Sequence, residues 1–287
     1  MKQLLVLSGK GGTGKTTIAS ALIKISEAKA FADCDIDAPN LHLVLKQRNE
    51  PIRKDYFGLP KAEINQDICR KCGLCLRKCR FDSINLINGQ YLIDYYACEG
   101  CGVCEYVCPV GAIKLNPAKA GDIELYKDDL VFSTAKLKMG SGTSGLLVSE
   151  VKKQLKENAK ETEFAIIDGS PGIGCPVIAS ISGVDIILVV AEPSVSGIAD
   201  MERIIQTASK FQTKTLVCVN KYNINIEKTK KIKDFCDKSD IPHIGEIPFD
   251  KEAIKAVNNG LTIADIECDS GKEVKKLYEI IKEYLEV

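Results

Sequence analysis

The stretch Gly9-Lys10-Gly11-Gly12-Thr13-Gly14-Lys15-Thr16 decides the fold of this 287-residue chain. It fits the pattern G-x-x-x-x-G-K-[S/T]. An apolar run with the composition of a β-strand, residues 3–8, precedes it, and a helical pattern of apolar residues follows it. Backbone N–H groups of such a loop turn inward around phosphate oxygens, and the helix N-terminus adds partial positive charge. A chance glycine-rich turn would need neither flanking element, so the sequence predicts a phosphate-binding loop.

The remaining chain alternates short apolar runs with helical stretches. The apolar runs are residues 30–36, 164–167, 185–191 and 215–219, and the helical stretches are residues 176–182, 197–211 and 226–238. Buried strands that alternate with helices predict an α/β fold with a mostly parallel sheet covered on both faces. Residues 122–144 are interpreted as strands, followed by a glycine-serine loop at 140–145.

Cysteines interrupt this alternation. Eight of the thirteen lie in two runs of the form C-x2-C-x2-C-x3-C, in which each cysteine recurs 29 residues later. The runs are Cys69, Cys72, Cys75 and Cys79, and then Cys98, Cys101, Cys104 and Cys108. Such a repeat predicts a duplicated module at residues 61–116, inserted into a discontinuous domain of residues 1–60 and 117–287.

Each run has the spacing by which bacterial ferredoxins hold [4Fe–4S] clusters, where the fourth cysteine of a run binds the other cluster. This resemblance assigns Cys69, Cys72, Cys75 and Cys108 to one cluster, and Cys98, Cys101, Cys104 and Cys79 to the second. Pro109 follows the second run as in ferredoxins, whereas Arg80 stands in that place after the first. Two zinc sites with four cysteines each are the alternative.

Composition limits the partners and the compartment. Lys and Arg together number 39, and so do Asp and Glu, so no overall charge favours nucleic acid or an anionic membrane. The N-terminus lacks signal-peptide features, and we expect a cytoplasmic protein with reduced thiols. The amphipathic C-terminal segment, residues 271–287, balances acids and bases and is expected to pack on the core rather than on a membrane.

Lys10 makes the phosphate loop unusual. The string KGGTGKTT, residues 10–17, resembles the deviant Walker A loop of the MinD, ParA, Mrp and nitrogenase iron protein ATPases, which are P-loop NTPases. The resemblance implies Mg²⁺-dependent hydrolysis of ATP to ADP in an ATP-dependent homodimer. In this family, Lys10 crosses the dimer to the phosphates bound by the partner, while Lys15 reaches the β- and γ-phosphates and Thr16 binds Mg²⁺.

The same resemblance assigns further site residues. Asp33 is implied to hold Mg²⁺, Asp35 to activate water, and Asp168 to be the Walker B carboxylate. Catalysis is therefore expected from Lys10, Lys15, Asp35 and Asp168. The nucleotide is expected to contact Gly9, Lys10, Gly11, Gly12, Thr13, Gly14, Lys15, Thr16, Thr17, Asn40, Gly172, Asn220, Pro248 and Asp250. Asn220 is the implied adenine-recognising residue, although an asparagine at a strand end is also a common turn former.

Cys175 follows Asp168 by seven residues, a separation that matches a cluster ligand of the nitrogenase iron protein. It is interpreted either as a transient cluster ligand or as a small buried residue at a helix start. The expected function is ATP-driven assembly or delivery of an iron–sulfur or related metallocluster to an apo-metalloprotein. The alternative is an ATP-gated electron donor to a redox partner, and a MinD-like positioning role is third.

Overall fold

A computed structural model describes residues 1–47 and 49–285. The strands are β1 (Lys2–Leu7), β2 (Ala30–Asp33), β3 (Ile52–Phe57), β4 (Lys61–Ile64), β5 (Ile84–Ile87), β6 (Gln90–Ile93), β7 (Ile113–Asn116), β8 (Lys119–Lys127), β9 (Val131–Leu137), β10 (Phe164–Asp168), β11 (Ile186–Ala191), β12 (Lys214–Asn220) and β13 (His243–Ile247). The helices are α1 (Lys15–Ser26), α2 (Leu41–Val44), α3 (Leu74–Lys78), α4 (Val103–Tyr106), α5 (Ser144–Asn158), α6 (Cys175–Ile181), α7 (Val195–Ser209), α8 (Ile226–Lys238), α9 (Lys251–Asn258) and α10 (Asp269–Leu285).

The chain forms two compact units. The large unit comprises Met1–Arg53, Ile123–Lys136 and Ser144–Val287, and the small unit comprises Lys54–Asp122 and Leu137–Thr143. The small unit contains all eight repeated cysteines. The domain boundaries inferred from the sequence, 61–116 within 1–60 and 117–287, stay a prediction.

A mostly parallel sheet forms the centre of the α/β part of the chain, as the sequence predicts. Its order is β13-β12-β11-β1-β10-β2-β9-β8-β3, and all six pairings from β13 to β9 are parallel. The central strands are continuously apolar because helices cover both faces; every residue of β11 is buried. Since β1, β2 and β10 run in the same direction, their carboxyl ends meet at one edge of the sheet.

The helix boundaries differ from the predicted ones by small amounts. α8 has the predicted bounds, whereas α6 begins one residue earlier than predicted and α7 two residues earlier. The Ser194 hydroxyl, which accepts a hydrogen bond from the Gly197 amide, sets the start of α7. The predicted glycine-serine loop at 140–145 was too long, because α5 begins at Ser144 and places Leu147, Val148, Val151 and Leu155 in the core.

The C-terminal helix packs on the core. Val274, Leu277, Ile281 and Leu285 of α10 are buried in the main apolar cluster, and Ile280 and Tyr284 pack against it half-buried. The expected core-facing role of this segment is confirmed over α10, while residues 286 and 287 lie outside the described residues. Among those described, no helix combines the length and the apolar character that crossing a bilayer requires.

The small unit repeats one supersecondary pattern. Its first half runs β4, α3, β5, and its second half runs β6, α4, β7. The halves are intertwined, since β4 pairs with β7 and β5 pairs with β6, both antiparallel. The 29-residue repeat of the sequence is therefore also a repeat of the backbone.

Candidate functional site

The phosphate loop connects β1 to α1 at the carboxyl edge of the sheet. Gly12 and Gly14 have positive φ values of 80° and 90°, a region that disfavours side chains. A Cβ on Gly14 would also collide with the side-chain amide of Asn220. The glycines thus let the loop wrap tightly in front of the α1 N-terminus.

A buried ion pair lies directly below the loop. The Lys15 ammonium donates to the Asp168 carboxylate at 2.5 Å, and the Thr16 hydroxyl donates to the other oxygen of Asp168 at 2.6 Å. Lys15 is 5% exposed and Asp168 is fully buried. The arrangement brings the three side chains of the predicted phosphate and Mg²⁺ site into direct contact.

Asp33 stands beside this pair. Strands β2 and β10 place it opposite Asp168 in register, and it is fully buried. Its carboxylate accepts hydrogen bonds from the backbone amides of Asp35, Asn40 and Leu41 at 2.9–3.0 Å. Burial raises the pKa of Asp33, and the neighbouring Asp168 carboxylate adds to the rise. Two buried carboxylates facing one lysine form an oxygen-rich, electron-rich pocket of the kind that Mg²⁺ binds.

Asp35 and Asn40 follow Asp33 in the loop after β2. Asp35 is half-buried, and this burial raises the pKa of its carboxyl, with Asp168 contributing in the same direction. Asn40 is exposed. Both residues lie in the loop after β2, and their backbone amides donate to the Asp33 carboxylate.

Thr13 supplies an independent sign that the loop is built for a ligand. Its side chain is 2% exposed, and its hydroxyl has no hydrogen-bond partner. A buried polar atom without a partner is costly, and native structures usually satisfy it with protein, water or ligand. A phosphate oxygen in the loop would be such a partner.

A cavity of about 250 Å³ opens beside the loop. It is lined by Gly14, Thr17, Asn220, Pro248 and Asp250, which the sequence assigns to the nucleotide, and also by Phe249, Ala253 and Ile254. The Asn220 amide donates to the Thr13 carbonyl at 2.7 Å, so Asn220 both ends β12 and braces the phosphate loop. The Asp250 carboxylate caps α9 and accepts from Ser270. The shape and the apolar lining suit a purine base.

Lys10 is held within its own chain. Its ammonium contacts Glu192 at 3.0 Å, Ser194 at 3.1 Å and Ser196 at 3.2 Å. Glu192 also contacts Lys221 at 3.5 Å, and Lys221 in turn donates to the Gly12 carbonyl at 2.8 Å. Glu192 was not predicted from the sequence, because no local pattern indicates that a residue 182 positions away contacts Lys10.

The segment after Asp168 contains Gly172 and Cys175. The Gly172 amide donates to the Ser8 carbonyl at 3.0 Å, so this N–H is engaged within the loop region. Cys175 is exposed at the first position of α6. Its interpretation as a small buried residue is therefore wrong.

A comparison with known families decides the classification of the chain. Residues 4–263 match the family described as the CobQ/CobB/MinD/ParA nucleotide binding domain. The chain belongs to this family.

Relatives and solved structures agree with the family. An uncharacterized protein of Methanocaldococcus jannaschii is 34% identical over 99% of this chain and 97% of its own length. The septum site-determining protein MinD of Bacillus subtilis is 24% identical over 91% of this chain and 81% of its own. In fold, the chain resembles MinD of Pyrococcus horikoshii complexed with Mg-ADP, with a TM-score of 0.61, 18% identity, and coverage of 98% of this chain and 96% of that one.

This member of the CobQ/CobB/MinD/ParA family also carries the cysteine unit. Six of the eight repeated cysteines lie in or against one small apolar core, namely Cys69, Cys75, Cys79, Cys98, Cys104 and Cys108. Cys72 and Cys101 are exposed. Burial raises the pKa of the Cys75 thiol, and Cys69 and Cys72 raise it further; the Cys104 thiol is affected in the same way by Cys98 and Cys101. The three leading cysteines of each run are therefore close neighbours.

Hydrogen bonds related by the repeat tie the two runs together. The Asn65 amide donates to the Ala112 carbonyl at 2.8 Å, and 29 residues later the Asp94 amide donates to the Ser83 carbonyl at 2.7 Å. The start of each run is thus bonded to the end of the other. This crossing places Cys108 toward the start of the first run and Cys79 toward the start of the second.

Across residues 1–47 and 49–285, no group of three or more His, Cys, Asp or Glu side chains has the geometry of a metal-ion site. The family description names a nucleotide binding domain, and the observations that bear on the predicted iron–sulfur clusters are the repeat and the crossing of the two runs.

Proposed function

We propose that this chain is a Mg²⁺-dependent ATPase. The observation that carries the proposal is the contact of Lys15 and Thr16, the last two residues of the phosphate loop, with Asp168. The Thr13 hydroxyl in the same loop is buried and has no hydrogen-bond partner. The adjoining cavity offers the base a site, and a related fold, MinD of Pyrococcus horikoshii, binds Mg-ADP. The proposed reaction is in-line attack of water on the γ-phosphate, which releases ADP and phosphate.

Each residue has a distinct part in this reaction. Lys15 is proposed to exchange its Asp168 partner for phosphate oxygens, because it is the last-but-one residue of the phosphate loop and its ammonium is the cation beside it. Thr16 and Asp33 are the proposed Mg²⁺ ligands, and the bound ion would neutralise charge between the β- and γ-phosphates. Asp35 is proposed to orient the attacking water, Asn40 to contact it, and Asn220 to bind the adenine edge through its amide.

Homodimerisation is part of the proposal. Lys10 is proposed to reach the phosphates bound by a second copy of the chain, where its ammonium would stabilise the developing charge. Within one chain the same ammonium is occupied by Glu192. Dimer formation must therefore break this partly exposed contact.

Replacing Glu192 by Gln is expected to promote dimerisation. An ion pair at this level of exposure contributes about 0.2–1 kcal/mol, so removing it should lower the dimer dissociation constant by up to about fivefold. Sedimentation velocity with a nonhydrolysable ATP analogue measures this. Glu202→Gln on α7 is the matched control. An unchanged or weaker dimer in Glu192→Gln would show that the contact does not restrain Lys10.

Lys15→Ala should reduce the rate of phosphate release by about 10²–10³-fold.

We further propose that the small unit holds two [4Fe–4S] clusters. The first is assigned to Cys69, Cys72, Cys75 and Cys108, and the second to Cys98, Cys101, Cys104 and Cys79. The crossed hydrogen bonds at Asn65 and Asp94 support the exchange of the fourth ligand. An all-thiolate donor set also suits iron–sulfur clusters, which would supply one-electron chemistry. Zinc in two four-cysteine sites is the alternative that composition alone leaves open.

Anaerobic protein is expected to contain close to eight irons per chain, as two clusters of four require. Cys108→Ser removes a ligand of the first cluster and should change the EPR signal of that cluster only. Cys236→Ala, which alters a buried cysteine of α8, is the matched control. Metal analysis that gives about two zinc ions per chain would refute the cluster assignment.

The proposed role of the whole chain is ATP-coupled assembly or delivery of a metallocluster to an apo-metalloprotein. Exposed Cys175 supports this role, because it lies on the segment that follows Asp168 and is free to contact cargo. The duplicated cysteine runs favour electron supply, which also suits the second candidate, an ATP-gated electron donor to a reductase.

Cys175→Ser separates these two roles. In the delivery role, we expect ATP hydrolysis within about twofold of wild type, whereas cluster transfer to a bacterial-type apo-ferredoxin should fall at least about tenfold, because a single thiolate contacts the cargo. Transfer is followed by the circular dichroism of the acceptor under anaerobic conditions. Unchanged transfer would argue for the electron-donor role instead.

A further inference from the structure

The first cysteine run is rich in positively charged residues. Between Ile68 and Phe81 the sequence contains five cations and no carboxylate. We name these residues the basic collar: Arg70, Lys71, Arg77, Lys78 and Arg80. All five side chains are exposed, and none takes part in an ion pair with another residue of the described ranges, 1–47 and 49–285.

The second run provides an internal control for the collar. At the positions 29 residues later it has no cation, but instead Glu99, Gly100, Tyr106, Val107 and Pro109. Both runs nevertheless have the same backbone, with a left-handed glycine before a short helix at Gly73 and at Gly102. The cysteine run therefore folds without the collar, and the five cations are not structural requirements.

Lys71 strengthens this conclusion. Its φ is 56°, in the left-handed region that disfavours a side chain, and its counterpart Gly100 has a φ of 61°. The first run thus keeps a lysine where the second uses the residue that the conformation favours. The collar also contacts the backbone of the cysteine run, since the Arg77 guanidinium donates to the main-chain carbonyl of exposed Cys72 at 3.2 Å.

Apolar side chains border the collar. Ile68 is 48% exposed, Leu76 is 38% exposed and Phe81 is 44% exposed. Arginine together with exposed aliphatic and aromatic groups is the composition of a protein–protein interface. A surface for nucleic acid would need a longer basic stripe to follow phosphates, whereas this one is confined to fourteen residues between positions 68 and 81.

We propose that the basic collar is the docking surface for an electron-carrier protein with a carboxylate-rich face. This inference rests on the proposed clusters, because docking there would bring the carrier next to the first of them. One electron leaves the reduced carrier and enters the small unit, and no bond is made or broken. The charge difference between the runs directs the carrier to the first run rather than to the second, where Glu99 and Glu105 would repel it.

Binding of an acidic plant-type [2Fe–2S] ferredoxin to the anaerobic, full-length protein tests the proposal. The variant Arg70→Glu, Lys71→Gly, Arg77→Tyr gives the first run the residues of the second at three of the five collar positions. The control variant, Lys153→Glu with Lys156→Glu on exposed positions of α5, changes net charge by the same amount. Calorimetric titration at two salt concentrations measures affinity, and iron content and EPR report the clusters.

We expect the collar variant to weaken ferredoxin binding at least about tenfold at low salt, while the control variant binds like wild type. Equal binding by the collar variant and wild type overturns the proposal. Tighter binding of a 20-nucleotide RNA than of ferredoxin, lost in the same variant, also overturns it in favour of nucleic acid. Iron-free wild-type protein would instead refute the proposed clusters, a result that the metal analysis reports separately from binding.

Discussion

The surroundings of the phosphate loop in the large unit depend on two carboxylates that are buried side by side. Asp33 and Asp168 end adjacent parallel strands in register, and the single ammonium of Lys15 faces them. Charge placed in so apolar a sheet is tolerated only when it is paired and hydrogen-bonded. Backbone amides after β2, the Thr16 hydroxyl and the glycine loop all serve this requirement. In the proposed function, a triphosphate with Mg²⁺ would redistribute the same charges and would thereby act on both strand ends.

The small unit depends on a different constraint, the crossing of two copies of one motif. The backbone next to the start of each cysteine run is bonded to the backbone next to the end of the other, so the two halves complete each other's hydrogen bonding. Comparison of the two copies of the repeat distinguishes the residues that both copies share from those that only one copy has. The four cysteines and the glycine before the short helix recur in both halves, whereas the basic collar belongs to the first half only.

Much of this architecture is visible in the sequence, because its signals are local. The phosphate loop, the acidic strand end at Asp168 and the 29-residue repeat each depend on neighbouring residues. Contacts between distant segments are not predictable in this way, and Glu192 holding Lys10 is the clearest case. Helix α5 was not predicted at all, for a related reason. Its apolar stripe follows a glycine-serine stretch that locally favours a loop, and tertiary packing of Leu147 and Val151 decides otherwise.

The proposed function requires that ATP binding in the large unit change the properties of the proposed clusters in the small unit. EPR of dithionite-reduced, anaerobic protein, recorded without nucleotide, with ADP and with a nonhydrolysable ATP analogue, tests it most directly. We expect the analogue to shift the signals or midpoint potentials of the proposed clusters, and Lys15→Ala to abolish the shift while the protein keeps its iron. Cluster signals that are the same in all three states, together with carrier oxidation rates that ignore the nucleotide, would contradict it.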